Sequence, residues 1–302
     1  MHLNVKLRYP FITSLLLSLS IHAQLLAIET IPSLAAPSAA AEQRDLDAQF
    51  QLGRAYLRGD GMPKDAQKSL DLMRSAAAKG HPEATGSVGY FYSVGLVVPK
   101  DEKQAADWFR KGAEMGSAKA QFNLGKSLID TNRDTTKPAE EFRTEGLQWI
   151  KKAADQGLPE AALFYGMALY FGDHGQTQDY PKAEPYLKVA ADSGNADAQN
   201  ALGALYDLAL VGTMDRVVAE QWYRKAALQG HLKAQANLGR VLNPEGADKE
   251  SRIEALAWLL IASNQNEITA IKTLQNAQPG LKAGEMDAAR IRSVALLKLV
   301  KK

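Results

Sequence analysis

The residues of this sequence that could do chemistry are five histidines, four tryptophans, a Gly-Lys-Ser triplet and one dense charged stretch. His174 stands beside Asp173, but one imidazole and one carboxylate fall short of the three or four ligands that hold a metal. His81 and His231 lie about 150 residues apart in separate turns, which argues against a shared metal site. Gly125-Lys126-Ser127 imitates the end of a phosphate-binding loop. Position 120 is Ala where that loop needs Gly, and the triplet falls inside a helical pattern rather than after a strand. Gly59-Asp60-Gly61 separates two helical patterns and reads as a turn. No His-Glu-x-x-His and no Gly-x-Ser-x-Gly occurs. The chain has no cysteine, so thiolate catalysis, Cys-ligated metal and disulfide staples are excluded. Asp101, Glu102, Lys103, Trp108 and Arg110 crowd together like a site, yet the same crowd recurs along the chain. No catalytic, metal-binding or cofactor-binding constellation emerges, and a non-enzyme with no cofactor is expected.

The recurrence defines the elements. Leu52-Gly53, Val88-Gly89, Leu124-Gly125, Tyr165-Gly166, Leu202-Gly203 and Leu238-Gly239 are spaced by 36, 36, 41, 37 and 36 residues. A second column holds Gly80, Gly116, Gly157, Gly194 and Gly230, with Gln265 where a sixth would fall. A third holds Leu72, Trp108, Trp149, Tyr186, Trp222 and Trp258. Four residues later comes a small pair, as in Ala76-Ala77 and Gly112-Ala113. Six registers agreeing in four columns mark residues 45–265 as six repeats: 45–80, 81–116, 117–157, 158–194, 195–230 and 231–265.

Each repeat reads as two helices. In the first, Ala48, Leu52, Ala55 and Tyr56 fall at helical spacing over 46–58, and Gly59 to Pro63 breaks the pattern. Helix B follows Asp65, a carboxylate able to cap the first turn. Asp101, Asp179 and Asp215 hold the same place, and Ser251 is expected to do so in the sixth repeat. The second-column glycines are natural left-handed stops. Gly53 inside helix A costs about 1 kcal/mol of helix propensity, best explained by close contact with the small pair of helix B. The tryptophans share one helix-B column and read as core.

The pattern A-x-x-x-L-G-x-x-Y-x-x-G-x-G, followed by D-x-x-K-A-x-x-W-[YF]-x-K-A-A-x-x-G-[HN], resembles the Sel1-like repeat. It stands here as AQFQLGRAYLRGDG in the first repeat and DRVVAEQWYRKAALQGH in the fifth. The histidines after Gly80 and Gly230 also fit it. The resemblance implies an all-α fold: an α/α solenoid of about six Sel1-like helix-turn-helix repeats, similar to the tetratricopeptide fold, with helix A lining a concave face. It also implies a mostly non-enzymatic adaptor or regulator. The tetratricopeptide analogy then picks out the groove positions. One residue after the column glycine stand Arg54, Tyr90, Lys126, Met167, Ala204 and Arg240. Three residues before it stand Phe50, Gly86, Phe122, Leu163, Asn200 and Ala236. Phe50, Arg54, Tyr90, Phe122, Lys126, Leu163, Met167 and Arg240 are the candidate binding residues. Cations beside apolar anchors suit a peptide or protein partner. For Phe50, Phe122 and Leu163 the alternative is packing between repeats.

The later repeats depart from the pattern. The third lacks the Gly-x-Gly turn and carries a polar insertion over 130–145. Altered turns stand at 172–175, 208–212 and 243–246. Such loops either carry specificity or are neutral insertions. Residues 266–302 suit two capping helices. They hold seven basic and three acidic residues, so contact with anionic lipid is the alternative role.

At the other end, Lys6 and Arg8 precede an apolar run over 11–21 (FITSLLLSLSI), the layout of a secretory signal. Residues 1–23 are expected to be that signal, cleaved after Ala23, with Ala27 or Ala35 as alternatives and an uncleaved membrane anchor as the competitor. Residues 24–44 read as an Ala/Pro/Ser tether. Without Lys6 and Arg8 the chain has 34 basic and 34 acidic residues, which argues against nucleic acid as a partner. The expectation is an exported, periplasmic scaffold, either an envelope adaptor or a regulator that restrains a sensor. The competing class is a hydrolase or binder of cell-wall or β-lactam compounds, as in disulfide-rich Sel1 proteins. The missing cysteines weigh against it.

Overall fold

The computed structural model describes residues 46–130, 139–242, 247–277 and 280–300. The expected signal and tether, residues 131–138 of the insertion and the turn at 243–246 lie outside them. The described residues form fourteen helices and no strand. The chain divides between His81 and Pro82 into two compact units.

In the first unit, α1 (Leu46–Arg58) and α2 (Ala66–Ala78) pack as a hairpin. His81 Nε2 lies 3.1 Å from Asp47 Oδ1 and its ring sits 4.8 Å from that of Phe50.

The second unit repeats this hairpin. Helix A is α3 (Pro82–Val94), α5 (Ala118–Asp130), α7 (Pro159–Phe171), α9 (Ala196–Asp207) and α11 (Leu232–Val241). Helix B is α4 (Glu102–Glu114), α6 (Ala139–Asp155), α8 (Tyr180–Asp192), α10 (Arg216–Ala227) and α12 (Lys249–Ser263). Within this unit each of these helices packs on its neighbours in sequence, so the architecture is an all-α solenoid. Two more helices, α13 (Ile268–Ala277) and α14 (Glu285–Leu297), pack on α12. The buried Glu285 carboxylate ties α14 down, accepting from Arg252 Nη2 at 2.8 Å and from Lys282 N–H at 3.0 Å.

Helix boundaries follow from their caps. Asp65, Asp101, Asp179 and Asp215 each accept an N–H from the first turn of the helix they precede. In the sixth repeat the cap is Asp248, not Ser251. Asp248 Oδ1 accepts the N–H of Glu250 at 2.8 Å and of Ser251 at 3.0 Å, which places Ser251 within the first turn. The sixth left-handed stop is Asn266 (φ 63°), not Gln265. Asparagine tolerates that conformation better than other non-glycine residues.

Two packing expectations change. The column glycine of helix A does not face the small pair. A Cβ on Gly125 would stand 2.5 Å from Gly146 O and 2.5 Å from Ile150 Cγ1, so two backbones meet there. The small pair sits one turn away, between its own helix A and the following repeat: a Cβ on Gly112 would stand 2.8 Å from Gly86 N and 2.9 Å from Ala120 Cβ. The tryptophan column is not the core column either. The residue one step later is the buried wedge, as with Met73, Phe109, Ile150, Leu187, Tyr223 and Leu259. Trp108, Trp149 and Trp222 are only half-buried, because 100° of helical rotation per residue sets them on the flank of helix B. Their faces carry Lys111, Lys152 and Lys225 at 4.8, 4.0 and 3.9 Å from the ring centres. Trp258 alone is fully buried, in one cluster with Ala289 and Leu296 of α14.

Candidate protein-binding groove

Four of the eight candidate residues come together in one place. Phe122 and Lys126 of α5, with Leu163 and Met167 of α7, line an open groove of about 1060 Å³. The groove runs along α7, whose Glu160, Phe164 and Phe171 also line it. Its far wall is the turn Ser193-Gly194-Asn195 that leads into α9. Pro159 at the first helical position starts α7, and Gly172 (φ 72°) stops it. Between them α7 reads PEAALFYGMALYF, with no charge after Glu160.

Such a helix would normally be buried on every side. One side is: Ala161, Ala162, Tyr165, Ala168 and Leu169 belong to the core. The other side stays open. Phe122, Leu163, Phe164 and Met167 pack against that core while one flank of each faces the groove, and Phe171 is 63% exposed. Packing between repeats and lining the groove are thus both true of Phe122 and Leu163.

The rim is polar and mostly satisfied internally. The His174 ring stacks on Phe164 with centroids 5.1 Å apart and 25° between planes. Its backbone N–H donates to Asp173 Oδ1 at 2.8 Å. This histidine is therefore an aromatic wall of the groove. Asn195 Oδ1 accepts the N–H of Ala198 at 2.9 Å, and Ser193 Oγ donates to Ala190 O at 2.7 Å. Lys126 differs: it is exposed and makes no ion pair or hydrogen bond among the described residues. It also borders a smaller crevice of about 310 Å³, which Tyr90, Ser93, Asn123 and the carboxylates of Glu102 and Asp130 line with it. Nowhere among the described residues do three His, Asp or Glu side chains converge as metal ligands would.

The remaining candidates are not among the residues that line the groove. Arg240 is held by the carboxylate of Asp207, which is almost fully buried and also accepts from Tyr223 Oη at 3.4 Å. Burial, then the Asp207 charge, pushes the Tyr223 phenol up, so it stays a donor. Arg240 is thus a structural cation, and sequence alone gave no sign of its partner. In the first unit, Arg54 lies 5.7 Å from the Phe50 ring centre and donates to Gln51 Oε1 at 3.3 Å.

The column reasoning passed over Phe164, Phe171 and His174. The signal for them was the uncharged run of α7 in a helix that must keep one face open. It also passed over a row of buried glutamines four residues before the column glycine. Gln121, Gln199 and Gln235 donate to the carbonyls of Ala113, Ala191 and Ala227 at 3.2, 3.0 and 3.1 Å. Each adds a second donor to a carbonyl at the end of the preceding helix B, which already accepts the N–H of Gly116, Gly194 or Gly230.

The described residues thus form an α/α solenoid whose helices A line an apolar groove beside Lys126. The chain belongs to the Sel1 repeat family, whose model matches residues 46–81, 82–117, 143–158, 159–195, 196–231 and 232–267. Sel1 repeats are generally non-catalytic and mediate protein–protein interactions. A Sel1 repeat protein from Oxalobacter formigenes is 28% identical, with a TM-score of 0.57 over 73% of this chain and 88% of that one. The protein c5321, a protective antigen present in uropathogenic Escherichia coli strains, is 26% identical with a TM-score of 0.51, over 87% and 62%. Among curated proteins, the uncharacterised NMB1327 of Neisseria meningitidis is 28% identical over 73% of this chain and 43% of its own length. The rat DAP3-binding cell death enhancer 1 is 32% identical over 35% and 20%. The chain spans less than half the length of these curated relatives.

Proposed function

We propose that this protein is an exported scaffold of the bacterial cell envelope that binds an apolar peptide segment of a protein partner along α7. The observation that carries the reading is the open apolar wall of Phe122, Leu163, Met167 and Phe171 beside Lys126, which has no ion-pair partner among the described residues. A peptide with apolar side chains at helical or alternate spacing fills such a wall, and a carboxylate on it meets Lys126. Relatives whose names describe a binder, as in DAP3-binding cell death enhancer 1, and a regulator, as in chitin synthase regulator SKT5 of Saccharomyces cerevisiae, support the role in kind. Export rests on Lys6, Arg8 and the apolar run over 11–21. An adaptor or sensor-restraining role in the periplasm follows from export combined with binding.

The test is photo-crosslinking in the native host from position 167, with position 221 on the exposed flank of helix B as control. A protein adduct specific to position 167, and lost in the Lys126→Glu, Leu163→Glu double variant, is the expected result. Identical adducts from both positions would remove the groove from the account. Fractionation of the same cells tests export, and recovery of the chain with cytoplasmic markers would refute it.

A further inference from the structure

Helix α14 is apolar on two sides. Its inner face buries Ala289 and Leu296 against the end of the stack, with Glu285 anchored to Arg252. Its outer face leaves Ile291 75%, Val294 58% and Leu297 48% exposed. These are large apolar side chains in a helix already fixed on its other side, and nothing among the described residues covers them. An amphipathic helix would carry polar residues there.

The outer face has an order that selects its partner. Asp287, Ile291, Val294 and Lys298 follow at spacings of four, three and four residues, the spacing of a seam in which two helices pack knobs into holes. The middle of the seam is apolar and its ends carry opposite charges. The pattern is symmetric about the point midway between Ile291 and Val294. A second α14 laid antiparallel across it sets Ile291 against Val294 and Asp287 against Lys298, at both ends at once. A parallel copy would set Asp287 on Asp287. An anionic lipid surface would meet the Asp287 carboxylate at one end of its contact, and Arg290 is already engaged with that carboxylate at 2.9 Å.

We propose that α14 is a homodimerisation helix that pairs antiparallel with α14 of a second copy of this chain through the Asp287–Ile291–Val294–Lys298 seam. The interface is isologous. A single helix pair buries less than a stable interface needs, so the dimer dissociates on dilution. This surface stands on α12, apart from the groove along α7, so dimerisation and peptide binding succeed or fail separately.

Sedimentation velocity on the full chain, from micromolar to near-millimolar concentration, reads the proposal. The wild type is expected to shift from monomer to dimer. Ile291→Asp with Val294→Asp should remain monomeric, with an unchanged circular dichroism spectrum because both residues are exposed. Asp287→Lys alone and Lys298→Asp alone each place like charges at both ends and should weaken the dimer by about tenfold. The combined Asp287→Lys, Lys298→Asp chain restores both pairs and should dimerise like the wild type. The swap does not restore the Asp287–Arg290 contact, so recovery cannot come from repair of the monomer. A wild type that stays monomeric throughout would overturn the proposal, as would a charge swap that fails to restore association. A monomer that instead sediments with phosphatidylglycerol vesicles would assign the face to lipid and overturn it as well.

Discussion

Replacing Gly125 by alanine pushes a methyl group against Gly146 O and Ile150 Cγ1, each 2.5 Å away. Alanine returns about 1 kcal/mol of helix propensity, but a clash with backbone in a packed core costs about 1–3 kcal/mol, so the clash wins. Urea unfolding should show the loss, while Gly280→Ala, where a Cβ meets nothing within 4 Å, should be neutral. The caps offer a second residue-scale test. Asp248→Ala should cost about 1 kcal/mol, whereas Ser251→Ala should cost much less, reversing the order that the sequence pattern implied. The caps also set an acid limit. Backbone N–H groups of Lys68, Gln104 and Ser251 hold Asp65, Asp101 and Asp248 below the usual carboxylate range, and Lys182 does so for Asp179. A lowered native pKa means that the stabilisation is complete above the unfolded value, near 4, and is lost as pH falls through the native one. Thermal melts should therefore fall below about pH 4. Replacing all four by Asn, which caps without titrating, should flatten that fall.

At the scale of the helix, what could be read from sequence was what repeats. The registers yielded the helix pairs, four of the Asp caps and the five glycine stops, because each is a local demand of the backbone met by a residue type. The column residues were harder. Trp108 and Trp222 recur because they cover a flank under a lysine, and Phe109 and Tyr223 recur because they fill the core. A period of 36 residues weights both columns equally, so it cannot rank them. Arg240 and Lys126 occupy the same column, yet one is bound to buried Asp207 and the other has no ion-pair partner among the described residues. That difference lies in a neighbouring helix and leaves no local trace. The buried glutamines act at this scale too. Gln199→Leu would remove one of the two donors to Ala191 O, which keeps the Gly194 N–H, and the nearer acceptor of Gln229 Nε2, and should cost about 1 kcal/mol in denaturant unfolding.

For the molecule as a whole, the groove belongs entirely to the second unit, since every residue lining it lies within 82–302. In a solenoid, stability is approximately a sum over repeats and their nearest interfaces. A chain starting at Pro82 should therefore keep its helical circular dichroism spectrum at lower stability and bind the same peptide as the full chain. Loss of binding with helicity intact would show that the first repeat shapes the site.

The most direct measurement is calorimetric titration of the chain with a synthetic peptide covering the partner segment that crosslinks to position 167. Binding with a negative heat-capacity change, the mark of apolar burial, is the expected result. It should weaken about tenfold or more in Met167→Glu, with the melting temperature unchanged. An affinity indifferent to Met167→Glu and Leu163→Glu would contradict the assignment of the groove.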